Sequence, residues 1–334
     1  MRRFGLFLVS LALACKAAPT HPANIDGVVP PPPGGGVVSD AGADGALPPG
    51  TFSTVANARG LAIAGAYLYI ASVGSGGSTG VLVRVPINGG SAETLVENVS
   101  EPWAIAASDT RVSFTTASSS SGDGAVYGFL LGATTIDTLV PSVNGAYGLV
   151  MDSAAVYFTE GTGTLGVERR SLTTSAVDRI VTSAVLATGN ALRIAGSDLF
   201  VGASNGIVYR APVLGGVLEG LDAPLTGSIV DIALDSTTVF AAVDLPAPNG
   251  AIVSFPKLGG AVKYVVTGLD RPGRIAVDSN RLYYTNPTLG TVESVPTTGG
   301  TPVVIGSNLS GPYALAVGDA VYVGTQTGVS RLTK

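Results

Sequence analysis

Arg274-Ile275-Ala276-Val277-Asp278-Ser279-Asn280-Arg281-Leu282-Tyr283-Tyr284-Thr285-Asn286 is the stretch whose reading decides the fold. Two short runs rich in β-branched and aromatic residues flank a polar Asp-Ser-Asn turn, which is the pattern of a tight strand–turn–strand unit. The phrase returns as Ile232-Ala233-Leu234-Asp235 followed by Val239-Phe240. It returns again as Leu149-Val150-Met151-Asp152 followed by Val156-Tyr157-Phe158. Weaker copies begin at Leu61, Ile105, Ile194 and Leu315, so the phrase occurs seven times. A period of this length marks a repeat architecture in which no single unit can bury its own apolar face.

A second phrase, Pro-x-x-Gly-Gly, starts at Pro86, Pro212, Pro256 and Pro296. The later spacings are 256 − 212 = 44 and 296 − 256 = 40, and the first gap of 126 is three units of 42. Gly-Gly supplies the positive φ of a hairpin turn. Pro closes a strand where no ladder N–H is needed. Each unit therefore reads as four strands, A to D, and the whole as an all-β, seven-bladed β-propeller of four-stranded antiparallel blades. In the sixth unit the expected strands are 274–278, 281–286, 291–296 and 302–308. The last unit runs from Tyr313 to Lys334 and holds only three strands. The missing one is expected at the other end, in Thr51–Ala56, so that the N-terminal strand completes the last blade and leaves no open edge.

Strand B carries an aromatic column of Tyr69, Tyr157, Phe200, Phe240, Tyr283 and Tyr322, with Ser113 as the exception. Strand A carries Leu61, Ile105, Leu149, Ile194, Ile232, Ile275 and Leu315. Both columns read as packing between blades. Leu282-Tyr283-Tyr284-Thr285-Asn286, then Gly290-Thr291-Val292, then Pro296-x-x-Gly-Gly resembles the YWTD repeat of lipoprotein-receptor propellers. Pro272-Gly273-Arg274-Ile275-Ala276-Val277-Asp278 resembles the opening of an NHL repeat. The YWTD tryptophan is absent. The resemblance covers about residues 51–334 and implies a propeller. It is unspecific for function, because such repeats serve both binding modules and enzymes.

The 334 residues divide into three parts. Met1-Arg2-Arg3 and the apolar run Phe4–Ala14 have the length and flanks of a secretory signal, and are too short to span a bilayer. The run ends in Leu11-Ala12-Leu13-Ala14-Cys15, which resembles a bacterial lipoprotein signal over residues 1–14 and implies an acylated Cys15 anchored in the lipid bilayer. An ordinary signal peptide cut near Ala14 or Ala18 is the alternative. Residues 15–50 form a Pro/Gly-rich tether, with Pro30–Pro33 stiff and Gly34–Gly36 loose. It holds His21, the chain's single histidine. These features point to the bacterial cell envelope. Lys16 after the cysteine, where an inner-membrane protein would carry Asp, favours the outer membrane.

Charge is sparse at 12% of residues, and the net charge is −5. A mildly acidic chain with scattered cations is a poor partner for nucleic acid. Within the propeller there is no His and no Cys, since the single copies are His21 and Cys15. That removes histidine-based triads, histidine zinc sites and thiol nucleophiles. Carboxylate or metal–carboxylate chemistry remains. A metal-dependent, lactonase-like hydrolase would draw ligands from Glu160, Asp231, Asp244 and Asn286. Asp152, Asp235 and Asp278 occupy one repeated A–B turn and read as turn caps. Gly161-Thr162-Gly163-Thr164-Leu165-Gly166 matches a dinucleotide fingerprint, but no helix follows it.

The D–A and B–C loops of a propeller share one face, and the residues entering strand A surround the mouth of the central channel. Blade by blade these are Arg59, Trp103, Tyr147, Arg193, Asp231, Arg274 and Tyr313, and they include the only Trp of the chain. Trp, Tyr and Arg are enriched at binding hot spots and stack on flat ligands and sugars. The competing reading has the aromatics plug the channel while the arginines pair with Asp231 or Glu101. The expectation is a monomeric, non-enzymatic binding or scaffold module. Its mouth would face an envelope protein or glycan, with no cofactor and no metal.

Overall fold

The computed structural model describes residues 50–74, 79–116, 124–133, 135–160, 166–182, 191–221 and 225–334. The signal segment, Cys15, almost all of the tether and the Gly161–Leu165 loop lie outside them. The described chain forms seven four-stranded antiparallel sheets, six of them meanders of consecutive strands, arranged as the blades of one β-propeller. In the sixth blade the strands are Ile275–Asp278, Arg281–Asn286, Thr291–Pro296 and Val303–Gly306. The inner and outer strands are shorter than the sequence pattern suggests, while the middle two have the expected limits.

The last blade combines Ala314–Val317, Val321–Gly324 and Val329–Leu332 with Thr51–Ser53 from the other end of the domain. Thr51 pairs with Ser330 and Ser53 with Val329. Phe52, between them, packs edge-on against Tyr322 with ring centroids 5.0 Å apart. The closing strand thus joins both the ladder and the core of its blade.

All four Pro-x-x-Gly-Gly phrases adopt one geometry. The first glycine donates its N–H to the proline carbonyl at 2.8–3.0 Å in each copy. Both glycines have positive φ, as at Gly89 (90°) and Gly90 (134°), where a side chain would be strained. The turns Asp152 and Asp235 are capped as expected. Each carboxylate accepts two backbone N–H groups at 2.7–2.8 Å. Asp278 differs, because it pairs with the Lys334 ammonium and with the Ser279 hydroxyl.

The core lies between blades. The strand-B column is fully buried, from Tyr69 and Tyr157 to Tyr283 and Tyr322, and Ser113 is buried in the aromatic's place. Each buried aromatic contributes about 1.5–3 kcal/mol through the area it removes from water. Tyrosine hydroxyls at the A–B end find acceptors, as in Tyr157 to Asp152 (3.0 Å) and Tyr322 to Asp319 (2.8 Å).

The register of the fourth blade corrects the sequence pattern. In six blades the strand-A apolar residue stands opposite the residue that follows the strand-B column, as in Leu61 opposite Ile70 and Ile275 opposite Tyr284. In the fourth blade that place belongs to Leu192, which pairs with Val201, whereas Ile194 pairs with Leu199. The repeat there begins two residues earlier than Ile194 suggests.

Candidate ligand site at the channel mouth

Strand pairing fixes the depth of each mouth residue. Ala62, Ala106, Val150, Ala233, Ala276 and Ala316 stand opposite the strand-B column. Arg59, Trp103, Tyr147 and Tyr313 lie three residues before their reference and form one upper layer. Asp231 and Arg274 lie two before theirs, one step deeper. Arg193 is itself the partner of Phe200, so it sits deeper again, in a ring otherwise made of Ala and Val. The upper-layer position of the fourth blade falls at residue 190, outside the described residues.

Ladder irregularities present the upper layer. Pairing skips Arg59 between Ala58 and Gly60, and it breaks between Pro102 and Ile105 and between Ala146 and Leu149. A bulge of this kind re-aims a side chain away from the ladder. It also frees a backbone N–H, and buried threonines on strand B accept it. Thr115 takes Ala104 N at 3.1 Å, Thr159 takes Gly148 N at 2.9 Å, and Thr285 takes Arg274 N at 2.9 Å. Sequence reasoning misses these three threonines. Their signal is a Thr two residues past the strand-B column in blades two, three and six.

The seven residues meet in sequence around the channel. Arg193 Nη2 donates to Asp231 Oδ1 at 2.8 Å. Asp231, 1% exposed, also accepts Ile232 N at 2.9 Å and Ile275 N of the next blade at 3.0 Å. Arg274 Nε donates to Tyr313 O at 3.3 Å. The Arg59 guanidinium lies 4.8 Å from the Tyr313 ring centroid and 5.6 Å from that of Trp103. Trp103 meets Tyr147 edge-on at 5.5 Å. One chain of contacts therefore links blade four through five, six, seven, one and two to blade three. It serves as an inner belt, and for Asp231 and Arg193 the packing role is direct.

The belt does not fill the mouth. A cavity of about 330 Å³ opens beside it, lined by Arg59, Trp103, Arg271, Arg274 and Tyr313, with Asp244, Pro272, Pro287 and Pro312 among its walls. A smaller one of about 110 Å³ lies along the channel and includes Tyr147, Arg193 and Asp231. Three arginines and one aspartate border the larger cavity, in a chain whose net charge is −5. Asp244 lies 3.6 Å from Arg271. Arg59 and Arg274 have no carboxylate partner among the described residues. The buried Nε of Arg59 has no hydrogen-bond partner among the described residues. Arg59, stacked on two rings, and Arg274, each without a carboxylate partner among the described residues, suit planar anions, which guanidinium groups bind bidentately.

The four candidate oxygen ligands for metal chemistry do not share a place. Glu160 is paired with Arg179, Asn286 Oδ1 accepts Leu289 N at 3.1 Å, and Asp231 is held in the belt. Asp244 borders the larger cavity, and Glu160 and Asn286 border neither. Among the described residues no group of three or more His, Cys, Asp or Glu is placed to hold a metal ion. No described helix is long and apolar enough to cross a membrane.

The fold and mouth define a seven-bladed propeller with a charged, aromatic channel cavity. No family model matches the chain, and no curated protein matches it. Solved structures do share the fold. The extracellular domain of a one component system from B. thetaiotaomicron aligns over 83% of this chain at a TM-score of 0.63 and 12% identity, and this chain spans 38% of that one. The computationally designed Ika8 protein aligns over 84% of this chain and 97% of its own, at 0.60 and 14%. A nidogen/laminin complex aligns over 66% of this chain and 87% of that chain, at 0.52 and 14%. At these identities the likeness is one of fold.

Proposed function

We propose that this protein is a non-enzymatic binding or scaffold propeller of the bacterial cell envelope, held in the outer membrane by an acylated Cys15 and a Pro/Gly-rich tether. The observation that carries the binding role is the open cavity at the mouth, where Arg59 is stacked between Trp103 and Tyr313 beside an Arg274 with no counter-ion among the described residues. Preorganised Arg and aromatic groups lose little freedom on binding. The repeat motifs resemble those of YWTD and NHL propellers, and the similar fold of an extracellular domain from B. thetaiotaomicron supports an exported location. Absence of His and Cys from residues 51–334 supports a role other than catalysis.

Two experiments test this reading. Partners captured from detergent-solubilised envelopes by the wild-type chain should be lost from the Trp103→Ala/Arg274→Ala double variant. Capture that survives the double substitution places binding elsewhere. Mass spectrometry should find acyl chains on Cys15, and a Cys15→Ser variant should leave the membrane fraction. An unmodified Cys15 removes the anchor.

A further inference from the structure

We infer that the larger mouth cavity accepts a single carboxylated sugar unit, a hexuronate, with its carboxylate held by Arg59 and Arg274. This rests on the mouth being the binding face. The size sets the first limit. A cavity of about 330 Å³ lies at the small end of ligand pockets, which run from about 300 to 1,000 Å³. It therefore takes a compact unit rather than a folded surface.

Charge sets the second limit. Arg59 and Arg274 border the cavity and have no carboxylate partner among the described residues; Arg274 gives its Nε to Tyr313 O, so an incoming planar anion meets the terminal nitrogens of the two guanidinium groups. The walls set the third. Trp103, Tyr313 and the prolines at 272, 287 and 312 give apolar surfaces against which the C–H face of a pyranose can pack. Asp244 and Thr288 share the same rim. Their oxygens accept hydroxyl hydrogens, while the Asp244 carboxylate repels a second negative charge. That combination suits one carboxylate among several hydroxyls and disfavours an acidic peptide carrying several.

Trp103 is the only Trp of the chain and lines both mouth cavities, so its fluorescence reports on the mouth. The full chain is titrated with D-glucuronate, D-glucose and a hexapeptide of alternating Asp and Glu. Glucuronate should give a saturable change with an affinity at least about tenfold above that of glucose, the amount expected from one charge-assisted hydrogen-bond pair. Arg274→Gln should erase that difference. Should the variant not fold, the wild-type chain still decides: added salt should weaken glucuronate binding and leave glucose unaffected.

Equal binding of glucose and glucuronate overturns the inference, as does tighter binding of the hexapeptide. A hexuronate site is also ruled out if neither sugar binds while envelope capture still depends on Trp103; the mouth then remains the binding face for another ligand. If neither sugar binds and capture ignores Trp103, both readings fall together.

Discussion

Replacing Asp231 by Ala should lower the melting temperature of the propeller by about 6 °C. The carboxylate is 1% exposed and accepts three hydrogen bonds, from Arg193 Nη2, Ile232 N and Ile275 N. Alanine leaves two buried backbone N–H groups without an acceptor, at about 1–3 kcal/mol each. The Arg193 side chain is 36% exposed, so its lost ion pair adds no more than about 1 kcal/mol. Removing a buried carboxylate returns part of its desolvation cost, which brings the net loss to about 3 kcal/mol. At about 2 °C for each kcal/mol in a domain of this size, the shift is about 6 °C. Asp231→Asn keeps one carbonyl acceptor and should lose about half as much. Differential scanning calorimetry on the full chain reads both. A variant melting within about 1 °C of wild type would refute the belt as a stabilising link between blades four, five and six.

Four further outcomes follow from the same structure. Phe52→Ala removes a ring 5.0 Å from Tyr322 in the closing strand and should cost about 3 kcal/mol in urea denaturation, with an unchanged midpoint as the contrary result. Gly60→Ala places a Cβ 2.8 Å from the Trp103 carbonyl oxygen; it should cost about 1–3 kcal/mol and shift Trp103 emission, whereas a silent substitution would mean that the first two blades are less closely set. Asp278 and Asp319 are held below their ordinary 3.8, chiefly by hydrogen bonds from Lys334 and Arg331. Their contribution is present above pH 3.8 and lost as pH falls below it, so Asp278→Asn/Asp319→Asn should flatten the acid limb of the stability curve, and an equally steep limb would contradict that. Burial pushes Tyr127 up from 10.0 to about 12. Its contribution is therefore present below pH 10 and lost toward 12, and Tyr127→Phe should keep more stability there, with parallel curves as the opposing result.

Most of the fold is legible because the repeats write the same physics several times. Pro-x-x-Gly-Gly demands two positive-φ residues after a strand end, and only a hairpin turn meets that demand in all four copies. The three-strand last unit points to Thr51–Ala56 because an unpaired edge would otherwise remain, and Thr51–Ser53 of that stretch form the strand. The mouth is legible to within one residue at six positions, and Arg193 misses by three. Arg59, Trp103, Tyr147 and Tyr313 share a layer, while Asp231 and Arg274 sit one residue deeper in their strands. In the fourth blade hydrophobicity alone favours Ile194 and misaligns the repeat. The spacing to the buried aromatic holds the answer: Leu61 to Tyr69 and Ile275 to Tyr283 span eight residues, and 200 − 192 = 8 selects Leu192. The inner belt is not legible, since Asp231 reaching Ile275 N depends on how adjacent blades are set, which no local pattern encodes.

The most direct test of a binding mouth is a crystal structure of the full chain soaked with glucuronate at saturating concentration. The sugar should lie in the cavity between Arg59 and Arg274, its carboxylate on the two guanidinium groups and its ring against Trp103. A sugar bound away from this cavity would contradict the hexuronate site, and Arg59 turned off Trp103 with the cavity closed would contradict a binding role for the mouth.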